Sequence, residues 1–225
     1  MKILVQQEDF DVSLEIKALS KNPSIGAVAS FVGVVREVAM TLEHYPGMTE
    51  NSIKKIAEEA RSRWQVIDCT VIHRYGDLQP GDQIVLVAVA SAHRGDAFAA
   101  CEFIMDYLKT RAPFWKKEHA AEGSRWVEAK SSDDDAAERW QLIDCTVIHR
   151  YGELQPSDQI VLVAVASAHR GDAFAACEFI MDYLKTRAPF WKKEHAAEGP
   201  RWVEAKSSDD DAAERWQLRQ GLTKP

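Results

Sequence analysis

The apolar positions of this chain change period several times, and each change marks an element. MKILVQQ reads as a short strand, and DVSLEIKALS as a short helix with Leu14, Ile16 and Leu19 as its apolar positions. SIGAVASFVGVVRE is a β-branched run with small residues that ends in charge, which predicts a strand. AMTLEHY predicts its antiparallel neighbour. Pro46-Gly47 predicts a turn, and Thr49 an N-cap for a helix from Glu50 to about Arg63. Ile53, Ile56, Ala57, Ala60 and Trp64 then fall on one helical stripe.

DCTVIHRY and QIVLVAVASA predict two further strands, joined by a loop containing LQPGD. Asp96 is a candidate cap for the next helix, which runs to about Arg111 and buries Ala97, Cys101, Ile104 and Leu108. Pro113 drives Ala112 out of the α region and ends that helix. FWKKEHAAEGSRWVEA predicts extended chain with a turn near Gly123, and SSDDDAAERW a short capped helix with Asp133 and Asp134 in its first turn. Adjacent strands with short connections make this an α+β fold, a mostly antiparallel sheet with packed helices, and not a doubly wound one.

The same pattern then starts again. Residues 64–139 and 140–215 align without a gap, Trp64 on Trp140 and Arg139 on Arg215. The pairs that differ are Val66/Leu142, Asp77/Glu153, Gly81/Ser157 and Ser124/Pro200. The chain therefore divides into a domain of residues 1–140 and, over 141–225, a partial repeat of residues 65–139 with a short C-terminal tail. The first 63 residues are encoded once. Pro80-Gly81 suits a type II turn, which needs φ > 0 after the proline. Pro156-Ser157 must take a type I turn or carry about 1 kcal/mol of strain. Apolar faces such as Val161, Val163 and Val165 need a partner that the repeat cannot supply. With no flexible spacer in ERWQLIDCT, the repeat is expected to pack against the first domain.

Of the 225 residues 46% are hydrophobic, which suits a chain with a real core, and the net charge of −7 argues against a general nucleic-acid binder. No run has the length of a membrane span, and MKILVQQEDF lacks a signal peptide's apolar stretch, so the expected compartment is the cytoplasm. The four cysteines, Cys69, Cys101, Cys145 and Cys177, show no metal-ligand spacing and are expected to be buried, reduced thiols. Neither a metal nor a cofactor is expected.

Walker, GxSxG, HExxH and dinucleotide-loop motifs are all absent. What remains is a set of cations at element ends. His93 and Arg94 precede a helix N-terminus, a natural place for an anion. Lys109 lies in that helix's last turn, Lys116 and Lys117 follow Pro113, and Arg36 ends an apolar strand. Taken singly, each has a plain structural reading; Lys109, for one, complements the helix dipole.

Together, TLEHYPGMTE, VIHRYGDLQPGDQIVLVAVASAHR, FIMDYLKTRAPFWKKE and RWVEA, in this order, closely resemble the large, catalytic subunit of molybdopterin synthase. The resemblance covers about residues 1–140. It implies an α/β-hammerhead-like fold and a homodimer of large subunits. A small, ubiquitin-like sulfur carrier would bind at each end, making a heterotetramer. It implies sulfur transfer from the carrier's C-terminal Gly-Gly thiocarboxylate to cyclic pyranopterin monophosphate, giving the dithiolene of molybdopterin. The family's catalytic lysines match Lys109 and Lys116. Its substrate contacts match Val34, Val35, Arg36, His93, Arg94, Lys109, Lys116, Lys117 and Glu118. Between VVRE and TLEHY, however, only Val38, Ala39 and Met40 stand where the family carries a longer polar loop. The repeat copies His169-Arg170, Lys185 and Lys192-Lys193-Glu194, but has no counterpart of Arg36 or of the EHYPGM segment. A competing reading is a non-catalytic binding or scaffold protein in which the duplicated half-domain blocks the dimer or tail-binding surface.

Overall fold

The computed structural model describes residues 1–120, 123–127, 142–186, 192–196 and 199–203. The chain forms two compact units, Met1–Asp134 with Gln155–Asp158, and Asp135–Leu154 with Gln159–Pro225. The fold is α+β and its sheets are mostly antiparallel, as the sequence predicts. SSDDDAAERW lies outside the described residues. Among the described residues no helix is long and apolar enough to cross a membrane.

Unit 1 runs β1 (Lys2–Gln6), α1 (Val12–Leu19), β2 (Ala27–Val34), β3 (Met40–His44), α2 (Met48–Arg63), β4 (Val66–Arg74), β5 (Gly76–Leu78), β6 (Gln83–Ser91), α3 (Arg94–Thr110), β7 (Phe114–Ala120) and β8 (Gly123–Val127). One sheet has the order β1-β4-β6-β2, with β1 parallel to β4 and the other pairs antiparallel. On one face Ile72, Leu86, Ala88 and Ala90 pack with Phe10 and Leu19, and Val12, Ile25, Val28 and Val32 close over them. The alternating set Val71, Val87 and Val89 points to the other face and is fully buried. There α3 lies on β2 and β6 and α2 lies against α3 and β4. The stripe Ala97, Cys101, Ile104 and Leu108 is buried as its spacing predicts.

The second sheet of unit 1, β5-β3-β7-β8, is antiparallel throughout. Here the sequence expectation fails: β3 does not pair with β2 but with β5 and β7. The connection Val35–Ala39 turns the chain out of the first sheet. Val38 N–H donates to Arg36 O, and Glu37 takes a positive φ of 36°. Val35 is tied instead to the β5–β6 turn, donating to Asp82 O at 2.9 Å and accepting from Gly81 N–H at 2.9 Å.

Two caps also differ. Gly47, at φ 81°, caps α2, and the Glu50 carboxylate accepts its N–H at 2.7 Å. Thr49 lies inside the first turn, fully buried, with its hydroxyl 3.0 Å from Tyr45 O. His93, and not Asp96, occupies the N-cap of α3; Asp96 sits in the first turn. Leu14, read as an apolar helix position, is 62% exposed.

Unit 2 contains β9 (Leu142–His149), β10 (Val161–Ser167), α4 (Arg170–Thr186), β11 (Lys192–Ala196) and β12 (Gly199–Val203). β9 and β10 form an antiparallel pair, as do β11 and β12. The expected turn difference is present. Both turns close, Asp82 N–H on Gln79 O at 2.9 Å and Asp158 N–H on Gln155 O at 3.0 Å. Gly81 has φ 92° and Ser157 keeps the same conformation at φ 72°, so the second copy carries the strain. Burial differs more than conformation does. Cys69 and Cys101 are buried thiols, but Cys145 is exposed and Cys177 is half-buried, which corrects the expectation for the second pair.

Candidate functional site

The candidate residues are carried to the ends of unit 1's elements by register. α3 runs antiparallel to β6: it starts three residues after Ser91, and its middle residue Cys101 points its thiol at Val87 O, 3.6 Å away. Its last turn, with Lys109, therefore returns to the end where β6 begins. β2 pairs Val34 with Gln83, so Val34, Val35 and Arg36 lie at that same end. Val34 is 49% exposed, Val35 is buried and Arg36 is exposed.

Two anchors bring β7 to that end as well. Thr49 Oγ1 lies 3.3 Å from Pro113 O, and the Phe114 ring stacks on His73 at 3.8 Å between centroids. His73 is buried and its Nδ1 lies 2.8 Å from Arg74 O. Burial pushes its pKa down to about 4, so a neutral imidazole, with Nδ1–H donating to the carbonyl, fills a structural position. Lys116 follows two residues after Phe114. It pairs with Leu42 and shares its face of the sheet, the face on which Val35, Met40, Leu42 and Leu78 form a core cluster. Lys116 is half-buried there.

Not every candidate converges. Lys117 pairs with Thr41, so it projects from the opposite face to Lys116. Glu118 is placed opposite Met40 by register. His93 and Arg94 are further away. Ala27 pairs with Ser91, and Val34 with Gln83, so the start of α3 lies at the other end of β2. At about 3.3 Å per residue the two ends are roughly 23 Å apart. That end is closely fitted: Gly26 N–H donates to Ser91 O at 2.9 Å, and a Cβ on Gly26 would stand 2.3 Å from Ala92 O.

One group on unit 1 has no counterpart among the predicted site residues. Thr41, Tyr75, Gly76 and Asp77, with Gln7, line a cavity of about 340 Å³. Thr41 Oγ1 donates to Asp77 Oδ1 at 2.6 Å. With its one proton given to the carboxylate, the hydroxyl accepts from His119 Nε2, 2.7 Å away. Lys117 projects from this same face. Because Thr41, Asp77 and His119 come from separate strands, only the register brings them together, and nothing in their spacing signals it. No cluster of potential metal ligands is present among the described residues.

The sequence matches the profile of the MoaE protein family over residues 5–111 and 120–187. The chain belongs to the MoaE family. The molybdopterin synthase catalytic subunit of Ralstonia nicotianae is 58% identical over 149 residues, covering 63% of this chain and 85% of that protein. That of Vibrio cholerae is 56% identical over 147 residues, covering 62% of this chain and 98% of that protein. Among solved structures, the molybdopterin biosynthesis MoaE protein of Burkholderia ambifaria shares 60% identity. It covers 59% of this chain and 92% of its own, with a TM-score of 0.53. MoaE-family relatives are thus matched over most of their length by about three-fifths of this chain.

Proposed function

We propose that this chain is the large, catalytic subunit of molybdopterin synthase, with residues 1–140 as the working unit. It would take sulfur from the thiocarboxylated Gly-Gly tail of a small ubiquitin-like subunit and place it on cyclic pyranopterin monophosphate. The observation that carries the reading is the match to molybdopterin synthase catalytic subunits along 85% and 98% of their lengths. The arrangement of cations supports it. Lys109, Lys116 and Arg36 gather at one end of unit 1, and both the cyclic phosphate and the incoming tail are anionic. Sulfur attack develops negative charge, which positioned ammonium groups stabilise.

In this reading Lys116 is the proton-transfer or tail-anchoring cation and Lys109 orients the substrate. Val34, Val35, Arg36 and Glu118 complete the contacts, while Lys117 stands on the opposite face of β7. His93 and Arg94 contribute through a homodimer. Since they lie within one chain at the opposite end of β2 from Arg36, a strand roughly 23 Å long, a two-fold axis that brings the partner subunit's His93 and Arg94 beside Lys109 is the arrangement that makes one site of all of them. With one small subunit per site, the assembly is a heterotetramer.

The test is sulfur transfer from a thiocarboxylated small subunit by the double variant Lys116→Ala, Lys192→Ala, with circular dichroism as the control for fold. The expected loss is at least about 100-fold. Lys192→Ala alone should change little, because its copy has no strand equivalent to the one bearing Arg36. Undiminished turnover in the double variant rules the assignment out.

A further inference from the structure

Unit 2 repeats β4, β6 and α3 in sequence but lacks what covers them. In unit 1, β1 occupies the outer edge of β4 and β2 the outer edge of β6. Phe10, Leu19 and the side chains around them seal Ile72, Leu86, Ala88 and Ala90. All of that cover comes from residues 1–34, which the chain encodes once. In unit 2 the register pairs Leu162 with Ile148 and Ala164 with Thr146, so these four side chains share one face. They correspond to Leu86, Ile72, Ala88 and Thr70. Leu86 and Ile72 are 0% and 1% exposed; Leu162 and Ile148 are 51% and 52% exposed. α4 lies against β10 on the opposite face, where Val163 O approaches the Cys177 thiol at 3.5 Å. Among the described residues no third strand joins β9 and β10.

The count of parts decides what can cover this face. Each chain holds two near-identical faces and one covering segment. Moving that segment to unit 2, or exchanging it with another chain, covers one face only by baring another. One open face per chain remains in every such arrangement. A contiguous apolar patch of this kind is an interaction site, and a lone two-stranded sheet is marginal in water. We propose that the β9–β10 face of unit 2 docks onto the same face of a second copy of this chain. The contact is isologous, Leu162 and Ile148 of one copy meeting their equivalents in the other. Ile148, Leu162, Thr146 and Ala164 carry no charge, and the carboxylate that the register adds to this face, Asp144 opposite Ala166, lies at the end away from the Leu162–Ile148 pair. The two sheets then supply each other's missing layer, with the α4 helices outside.

The experiment compares the full chain with the double variant Ile148→Asp, Leu162→Asp by sedimentation equilibrium at micromolar concentration. Both positions are half-exposed within the chain, so the change removes little packing there, and Ile148→Ser, Leu162→Ser serves as a gentler second variant. The unaltered chain is expected to exceed either variant in mass or, where the two unit-2 faces meet inside one unit-1 dimer, to hold that dimer together at concentrations at least about tenfold lower than either variant does. Hydrogen exchange in β10 is read on peptides that carry Ser157, which differ in mass from those carrying Gly81. It should slow at least about tenfold with rising concentration in the unaltered chain alone. Equal masses at every concentration overturn the proposal. So does β10 protection that is strong at every concentration, since that is the mark of cover from within one chain.

Discussion

Because one sequence sits in two environments, a single substitution can be made twice. Leu86→Ala and Leu162→Ala remove the same atoms from the same local sequence, IVLVAVASA. Leu86 is fully buried among Phe10, Leu19, Ile72, Ala88 and Ala90. Truncating such a leucine loses its transfer free energy and leaves a cavity, together about 3–4 kcal/mol. Leu162 is half-exposed. Full burial of a leucine is worth about 1.5–3 kcal/mol, so a half-buried one with little cavity to leave loses about 1 kcal/mol. The assay is hydrogen exchange with mass spectrometry at high dilution, where unit 2 is unassociated. Peptides over β6 and β10 are told apart by Gly81 and Ser157. Protection in β6 should fall by roughly two to three orders of magnitude in Leu86→Ala. Protection in β10 should fall by less than about tenfold in Leu162→Ala. Equal losses at the two sites would refute the argument that cover by residues 1–34, and not local sequence, sets the stability of this strand pair.

Two further outcomes follow from single residues. His73 has a folded pKa of about 4 against an ordinary 6.5, because burial disfavours its charged form. Its contribution is therefore complete above about pH 6.5 and is lost as pH falls toward 4, up to about 3 kcal/mol in all. The urea midpoint of unit 1 should fall over that window less steeply in His73→Phe than in the unaltered chain, and parallel profiles would contradict this. Ser157 holds φ at 72°; Ser157→Gly should raise the stability of the β9–β10 pair by about 1 kcal/mol, measured as slower exchange in those strands, and no change would mean the turn is unstrained.

The sequence disclosed elements better than it disclosed neighbours. The α3 stripe was readable because helical spacing places Ala97, Cys101, Ile104 and Leu108 on one side whatever surrounds them. The partner of β3 was not. The turn from β2 runs through Glu37 at positive φ, a conformation that a glycine would have signalled and a glutamate does not. The cap of α2 was misread for a related reason: Thr49 has an N-cap's chemistry but sits one step inside the helix, its hydroxyl held by Tyr45 O. At the site, adjacency misled in both directions. Lys116 and Lys117 are consecutive yet project from opposite faces, while His93 and Arg36 belong to one resemblance yet stand at opposite ends of β2. Only register decides such questions, and register depends on pairings between distant segments. The Thr41–Asp77–His119 chain was hidden for the same reason. Exposure of Cys145 was hidden by identity itself, since its sequence neighbours are those of buried Cys69.

The parallel pairing of β1 with β4 also has a consequence in time. Lys2 lies opposite Thr70, so the N-terminal strand waits for some seventy residues of synthesis before it has anywhere to pair. The ribosome delivers β4 and β6 first and their duplicates 76 residues later, a lag of roughly 4–15 s at 5–20 residues per second. Mixed α/β domains of this size close faster than that. The order of translation thus gives the first copy a head start in capturing β1, α1 and β2, and the second copy emerges to find them taken. A chain refolded from denaturant has no such head start. It meets both copies at once, and only the longer loop needed to reach the second steers residues 1–34 back to the first.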